Sequence, residues 1–249
     1  MTKQTATHFW NGKAELGEGW ATFLGTSGDN SPHQHLVLQL VIALKNNVQI
    51  NIASQGDIAS PAVLIAANIK HQLQPGDVIL IFLDPTSVLG HALTQRCKNG
   101  YLLLDETIRN TLSSEAHHRH GFDLVQAIAT HLNVAMPRTG SSTASDRVER
   151  LVLELAHRAE LPKTLSQFAK EAALSPSRLR HRLSAIIGMP FRPYLRWLRL
   201  QRAMKYFAAG ASLTDAAHAA GFADAAHLSR TMRRHFGISL SSLHKALQA

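Results

Sequence analysis

The sequence carries one cysteine, Cys97, in 249 residues. That excludes an internal disulfide framework and any zinc site built from several thiolates. Aromatic residues make up 6% of the chain and charged residues 17%. The longest apolar runs, such as Val78–Leu83, stop at six residues, far short of the roughly 20 that a membrane-spanning helix needs. The opening MTKQTATHFW has no apolar export segment, so a cytoplasmic protein without a membrane role is expected. What is present is apolar surface: hydrophobic residues reach 45%, enough for one large or two ordinary folded domains and too much for a disordered chain.

Charge is distributed unevenly. The formal net charge is +9 and the isoelectric point about 10.1. Residues 1–146 hold 9 Lys and Arg against 11 Asp and Glu, a net −2, whereas residues 147–249 hold 17 against 6, a net +11. A near-neutral half joined to a basic half predicts a sensing or assembly domain tied to a polyanion binder. The junction is expected at 138–145, where RTGSSTAS follows Pro137 and is small, polar and linker-like. The predicted division is therefore 1–137, a linker at 138–145, and 146–249.

The first part reads as mostly β. Trp20–Leu24, His35–Leu44, Val48–Ile52, Ala62–Ala66 and Val78–Leu83 are short apolar runs separated by turn signals such as Gly28-Asp29-Asn30 and Pro75-Gly76-Asp77, which predicts a small barrel or sandwich. The period then changes. Leu104–Leu112 and Phe122–Leu132 read as helices, with Phe122, Val125, Ile128, Ala129 and Leu132 on one face. These two helices are the expected surface for dimerisation or domain docking.

The second part reads as entirely helical. It opens on Arg147–His157, with Asp146 as a candidate N-cap and Val148, Leu151, Val152 and Leu155 as its stripe. An internal repeat follows. Leu165, Ala169 and Leu174 recur 48 residues later as Leu213, Ala217 and Phe222, and Leu179, Leu183, Gly188 and Phe191 recur 49 later as Leu228, Met232, Gly237 and Leu240. Each copy predicts a short helix, a tight turn holding the extra residue, and a second helix closed by a glycine. Thr164 and Ser212 are candidate caps of the first helices, Ser175 and Asp224 of the second. Gly221 can supply a positive φ in the turn. This is the grammar of a helix-turn-helix, whose second helix enters the DNA major groove. Between the copies, Arg192–Ala208 predicts a basic linking helix. Second helices facing one side of a duplex would sit about one helical turn apart, roughly 34 Å.

On LSPSRLRHRL (Leu174–Leu183), GMPFRPYLRWLRLQRA (Gly188–Ala203) and SLTDAAHAAGFADAAHLSRTMRRHFGIS (Ser212–Ser239), residues 164–245 resemble the DNA-binding domain of AraC/XylS-type transcription regulators. Leu240 departs from the proline usual at its position. The first part resembles the cupin-like sensor domains of that family through His33-Gln34-His35 with Gln39 and through Ile65–His71. The resemblance implies an α+β multidomain chain: an N-terminal cupin-like β-barrel with accessory helices, and a C-terminal all-α domain with two helix-turn-helix units. It implies double-stranded DNA as partner. It leaves room for RNA polymerase, an unidentified small-molecule effector and a second copy of the chain.

The resemblance sets Ser177, Arg180 and His181 on the first recognition helix, and Ala225, Ala226, His227 and Arg230 on the second, toward base edges. Arginine suits guanine O6 and N7, and alanine a thymine methyl. Arg178, Arg182, Arg192, Arg233 and Arg234 are expected on phosphates, which position without specifying sequence. His33, His35 and His71 are the candidate metal ligands. His33 and His35 would face the same way on one strand, but the amide of Gln39 stands where metal cupins have a carboxylate, a poorer ligand for a divalent ion. Packing or loop histidines in a barrel without metal are therefore expected, with no cofactor and no enzymatic role. His117, His118 and His120 read as a solvated loop at a helix start. Two other readings stay open: a metal-dependent cupin enzyme carrying a DNA-binding tail, and a non-specific architectural DNA binder.

Overall fold

The computed structural model describes residues 9–134, 147–158, 160–239 and 242–243. The linker expected at 138–145, the Asp146 cap and Leu240 lie outside them.

Among the described residues, nine strands and three helices build the first part: β1 (Asn11–Gly17), β2 (Trp20–Ser27), β3 (Leu38–Ala43), β4 (Val48–Ile52), β5 (Gly56–Ser60), β6 (Ala62–Ile65), β7 (His71–Leu73), β8 (Gly76–Leu83), α1 (Val88–Thr94), β9 (Tyr101–Leu104), α2 (Glu106–His118) and α3 (Gly121–His131). They form an antiparallel six-stranded sheet in the order β1-β2-β8-β3-β6-β9 and a three-stranded sheet β5-β4-β7. The apolar runs are continuous because the central strands are covered on both faces. Leu38, Leu40, Ile42, Ile79, Ile81 and Leu83 point to one side and pack with Leu89, Leu112, Val125 and Ile128 of the helices. Val41, Ala43, Val78 and Leu80 point to the other and pack with Ile50, Ile52 and Leu73 of the second sheet. Period two thus sorts each strand between two cores.

Several boundaries differ from the sequence reading. The strand expected from His35 begins at Leu38. His35 Nδ1 lies 2.8 Å from Val37 O, and residues 36–37 bend away, burying Leu36 and Val37 among the C-terminal helices. The helix expected from Leu104 starts later, because Leu104 pairs with Ala62 in the sheet and the Asp105 side chain caps α2 by accepting from Ile108 N. α2 then runs on, so His117 and His118 form its last turn and not a loop before the next helix. Phe122 leaves the buried face of α3. It is 41% exposed, its ring 6.2 Å from that of Trp20, while Leu124 and Ala127 are buried in its stead. β1, β5, β7, β9 and α1, absent from the reading, are short, polar or irregular in pattern.

The second part is helical: α4 (Arg147–His157), α5 (Leu165–Glu171), α6 (Pro176–Ile187), α7 (Phe191–Ala208), α8 (Leu213–Ala219) and α9 (Ala225–Phe236). The repeat is structural. α8 is α5 displaced by 48 residues at both ends, and α9 is α6 displaced by 49. All four expected caps form: Thr164, Ser175, Ser212 and Asp224 each accept from a backbone N–H of the first turn. Gly188 and Gly237 close α6 and α9 in the left-handed region. The turns correspond as well. Leu174 N donates to Ala169 O at 3.0 Å and Phe222 N to Ala217 O at 2.9 Å. The left-handed residue of that turn is Gly221 (φ 79°) in the second unit but Ala173 (φ 53°) in the first.

The halves meet through β8 and neighbouring loops of the barrel, and not through the apolar faces of α2 and α3, which are buried against the sheet. Leu36, Val37 and Phe82 enter the core made by α4–α9. Trp197 Nε1 of α7 donates to Asp84 Oδ2 at 2.9 Å and Gln201 Nε2 to the same oxygen at 3.3 Å. Thr86 fills the other oxygen through its N–H (2.8 Å) and hydroxyl (2.6 Å). Phe236 of α9 packs edge-on to Phe82, ring centroids 5.6 Å apart.

Two predictions follow from this packing. Asp84→Ala orphans buried donors on both sides of the junction, so it should lower stability by about 2–3 kcal/mol and split the calorimetric unfolding into separate transitions for the two halves. An unaltered single transition would contradict the junction. Ala173→Gly relieves a left-handed alanine costing about 1–2 kcal/mol against the extra unfolded-chain entropy of glycine. It should stabilise by up to about 1 kcal/mol in urea unfolding. Gly221→Ala, whose added Cβ would meet only Arg199 at 3.6 Å, should destabilise by about as much.

Candidate nucleic-acid interface

The second helix of each unit buries one stripe and exposes the rest. In α6 the buried residues are Leu179, Leu183 and Ile187. Ser177, Arg178, Arg180, His181 and Arg182 are all exposed. At 100° per residue His181 stands opposite the buried stripe, with Arg180 and Arg182 on its two flanks. In α9 the buried residues are Leu228, Thr231, Met232 and His235. Ala226, His227, Arg230, Arg233 and Arg234 are exposed, and Ala225 is half-buried. The His227 ring rests edge-on against Phe222 at 5.3 Å, which fixes its place beside the turn.

The basic excess separates into two classes. Arg158 pairs with Glu171 at 2.5 Å and with Glu154 at 3.5 Å, and this pairing raises its already high pKa. Arg202 donates to the carbonyls of Leu155 and Arg158 at the end of α4, where a cation also suits the helix dipole. These side chains hold the domain together. Among the described residues no acidic group pairs with Arg178, Arg180, Arg192, Arg230, Arg233 or Arg234. Arg147, Arg178, Arg182 and His181 border a groove of about 480 Å³ between α4 and α6. Exposed cations without anions on both second helices are what phosphate attraction requires.

The other candidate residues are gathered at the barrel's end. His33 bridges His71 through paired backbone hydrogen bonds of 2.9 Å. Ring centroids lie 4.6 Å apart for His33 and His71, 4.9 Å for His35 and His71, and 5.7 Å for His33 and His35. Gln39 points into the barrel between them, its Oε1 2.7 Å from His35 Nε2 and 2.9 Å from His71 Nε2. Burial lowers the pKa of all three rings, that of His35 to about 4. Burial likewise lifts the Cys97 thiol to about 11, leaving it little thiolate to react.

Three features escaped the sequence. Asp84 is one of 17 acidic residues and carried no local signal for its role at the junction. His235 is buried in α9 against the backbone of Gln34 in the barrel, and burial lowers its pKa to about 4. The repeat matched Gly237 to Gly188 but hid their difference. A Cβ on Gly188 would meet nothing, whereas one on Gly237 would come within 2.7 Å of His33 Nδ1. Of the two closing glycines, Gly237 of the second unit is the one pressed against the barrel.

Residues 168–246 match the family described as a helix-turn-helix domain. No curated protein matched the sequence. Among solved structures, an apo point variant of ToxT from Vibrio cholerae is similar over 94% of this chain and 99% of its own, at 12% identity and a TM-score of 0.62. ToxT from the same organism with an unsaturated fatty acid bound is similar over 98% of this chain and 97% of its own, at 13% identity and a TM-score of 0.56. Residues 168–246 therefore form a helix-turn-helix domain, and the chain as a whole shares the fold of ToxT.

Proposed function

We propose that the chain is a sequence-specific DNA-binding transcription regulator that reads two adjacent major-groove segments under the control of its N-terminal domain. The observation that carries this reading is the duplicated unit, matched cap for cap, with exposed arginines on both second helices: Arg178 and Arg180 on the first, Arg230, Arg233 and Arg234 on the second. One unit could be a core hairpin; two in register with a basic surface form a reader. α7, 18 residues long and so about 27 Å from end to end at 1.5 Å per residue, links them. Ser177, Arg180, His181, Ala225, Ala226, His227 and Arg230 are assigned to base edges, and Arg178, Arg182, Arg192, Arg233 and Arg234 to phosphates. Distinct side chains on the two helices favour readout over architectural binding. No catalytic role is assigned to the barrel.

Control would pass through the clasp on α9. An apolar cavity at the junction is lined by Phe23, Leu80 and Phe82 of the barrel and by Met204, Met232 and Phe236 of the helices. Its volume is about 60 Å³, against roughly 300–1,000 Å³ for a drug-sized ligand site. ToxT has been crystallised with an unsaturated fatty acid. An effector of that size would have to part the two halves here, which links binding to the position of α9. No helix among the described residues is long and apolar enough to cross a membrane, and the cytoplasm is the proposed location.

A fragment of residues 141–249 should fold and bind DNA, since among the described residues the barrel contributes Leu36, Val37 and the half-buried Phe82 to its core. A folded fragment binding no better than residues 1–137 would refute the assignment. In the full chain, Arg180→Ala and Arg230→Ala should each cost about 1–3 kcal/mol on the specific site and relax base preference. Arg192→Ala should weaken all sequences alike and reduce the salt slope by roughly one. Equal losses on specific and random DNA for the first two would count against direct readout.

A further inference from the structure

We propose that the groove between α4 and α6 seats one strand of the DNA backbone, with Arg147 of α4 as a phosphate clamp, so that α4 is a third DNA-contacting element beside the two recognition helices. The inference rests on the DNA-binding reading and extends it to a helix that lies before the matched residues 168–246.

The groove has a defined shape and a defined side. It encloses about 480 Å³ and is lined by Val148, Ala172 and Leu174 as well as by Arg147, Arg178 and Arg182. On α6, Arg178 and Arg182 stand one turn apart and share a flank, whereas Arg180 lies about 200° round the helix from both. The flank on the groove is therefore distinct from the one assigned to guanine readout. Two arginines at i and i+4 repel each other along a helix, and Arg147 adds a third positive charge from across the groove. Packing does not call for this concentration of charge. Val148 and Val152 of α4 already share a core with Leu179 and Leu183 of α6.

Arg147 is held in place without being neutralised. Its Nη2 donates to Glu171 O at 3.0 Å. The carboxylate of that same residue is committed elsewhere, 2.5 Å from Arg158 Nη1. Among the described residues no acidic group pairs with Arg147 or Arg178, and both side chains are exposed. Each stands in the first turn of its helix, where the helix dipole opposes a cation. Neither is there to stabilise its own helix. The lining names the occupant. Guanidinium forks match phosphate oxygens, and the apolar wall of Val148, Ala172 and Leu174 suits the carbon face of deoxyribose. A backbone strand offers both in alternation.

The test uses the full-length chain and three substitutions. Arg147→Gln keeps an N–H for the Glu171 carbonyl and removes the charge. Arg147→Lys keeps the charge. Lys98→Ala removes an equal charge from an exposed position on the barrel. Affinity is measured over a salt series on the specific site and on a random duplex. Arg147→Gln should weaken both alike, by roughly fivefold at about 0.15 M salt, and flatten the salt slope by about 0.9, the share of one phosphate. Ethylation interference should lose one backbone position flanking the first half-site, with guanine N7 methylation interference unchanged. Arg147→Lys should recover most of the slope, and Lys98→Ala should bind as the unmodified chain does. An unchanged slope in Arg147→Gln, a loss confined to the specific site, or an equal loss in Lys98→Ala would overturn the inference and leave DNA binding by the two units standing. Millimolar nucleoside triphosphate that displaces DNA from the unmodified chain but not from Arg147→Gln would give the groove to a free nucleotide instead. No duplex binding by the unmodified chain would overturn the proposed function and this inference with it.

Discussion

The arrangement of the molecule depends on the carboxyl group of Asp84. It sits at the end of β8, 7% exposed, and accepts from Thr86 on its own domain and from Trp197 and Gln201 on α7. A buried polar group left without partners is costly, so this residue ties the barrel to the helix that also sets the spacing of the two DNA-binding units. α7 cannot turn relative to the barrel without orphaning Asp84 or burying the donors of Trp197 and Gln201 unpaired.

Around that tie, the halves share more than a hydrogen bond. The bend at residues 36–37 places Leu36 and Val37 in the helical core, and Phe82 and Phe236 interlock across the boundary. The consequence is asymmetric. The first unit, α5 and α6, ends on a glycine with open space beside it, while the second ends on Gly237 pressed against His33. A change in the barrel therefore reaches α9 before it reaches α6. Regulation by such a chain would adjust the second contact with DNA while the first stays competent, a two-state bias of the kind linkage requires.

Much of this was legible in the sequence, for reasons that are local. The helix caps Thr164, Ser175, Ser212 and Asp224 are short-range chemistry, and the duplicated pattern of large and small apolar residues fixes the helical pairs to the residue. The central strands were readable because both faces are covered, so β6 and β8 carry unbroken apolar runs and β3 one interrupted by Gln39 alone. The edge strands were not readable: β5 is GDIAS and depends on its partner β4. The start of β3 was misplaced because a side-chain bond from His35 to the backbone and the pull of the other domain on Leu36 and Val37 override strand propensity. The same long-range packing brings His71 to His33 and His35, 38 and 36 positions away in the chain. It also assigns Asp84 its partners, |i−j| 113 for Trp197. Spacing alone carries no trace of such contacts. Ala173 shows the converse: the fold imposes a left-handed turn on the first unit even though its sequence lacks the glycine that signals it.

The central claim is that the two units read DNA together from one side, as a pair held by α7. The most direct measurement is selection of bound sequences from a random duplex library by the full-length protein. Two distinct half-sites with centres about 10–10.5 base pairs apart, in a fixed relative orientation, are the predicted result. A single half-site, freely variable spacing, or no enrichment over the input library would contradict it.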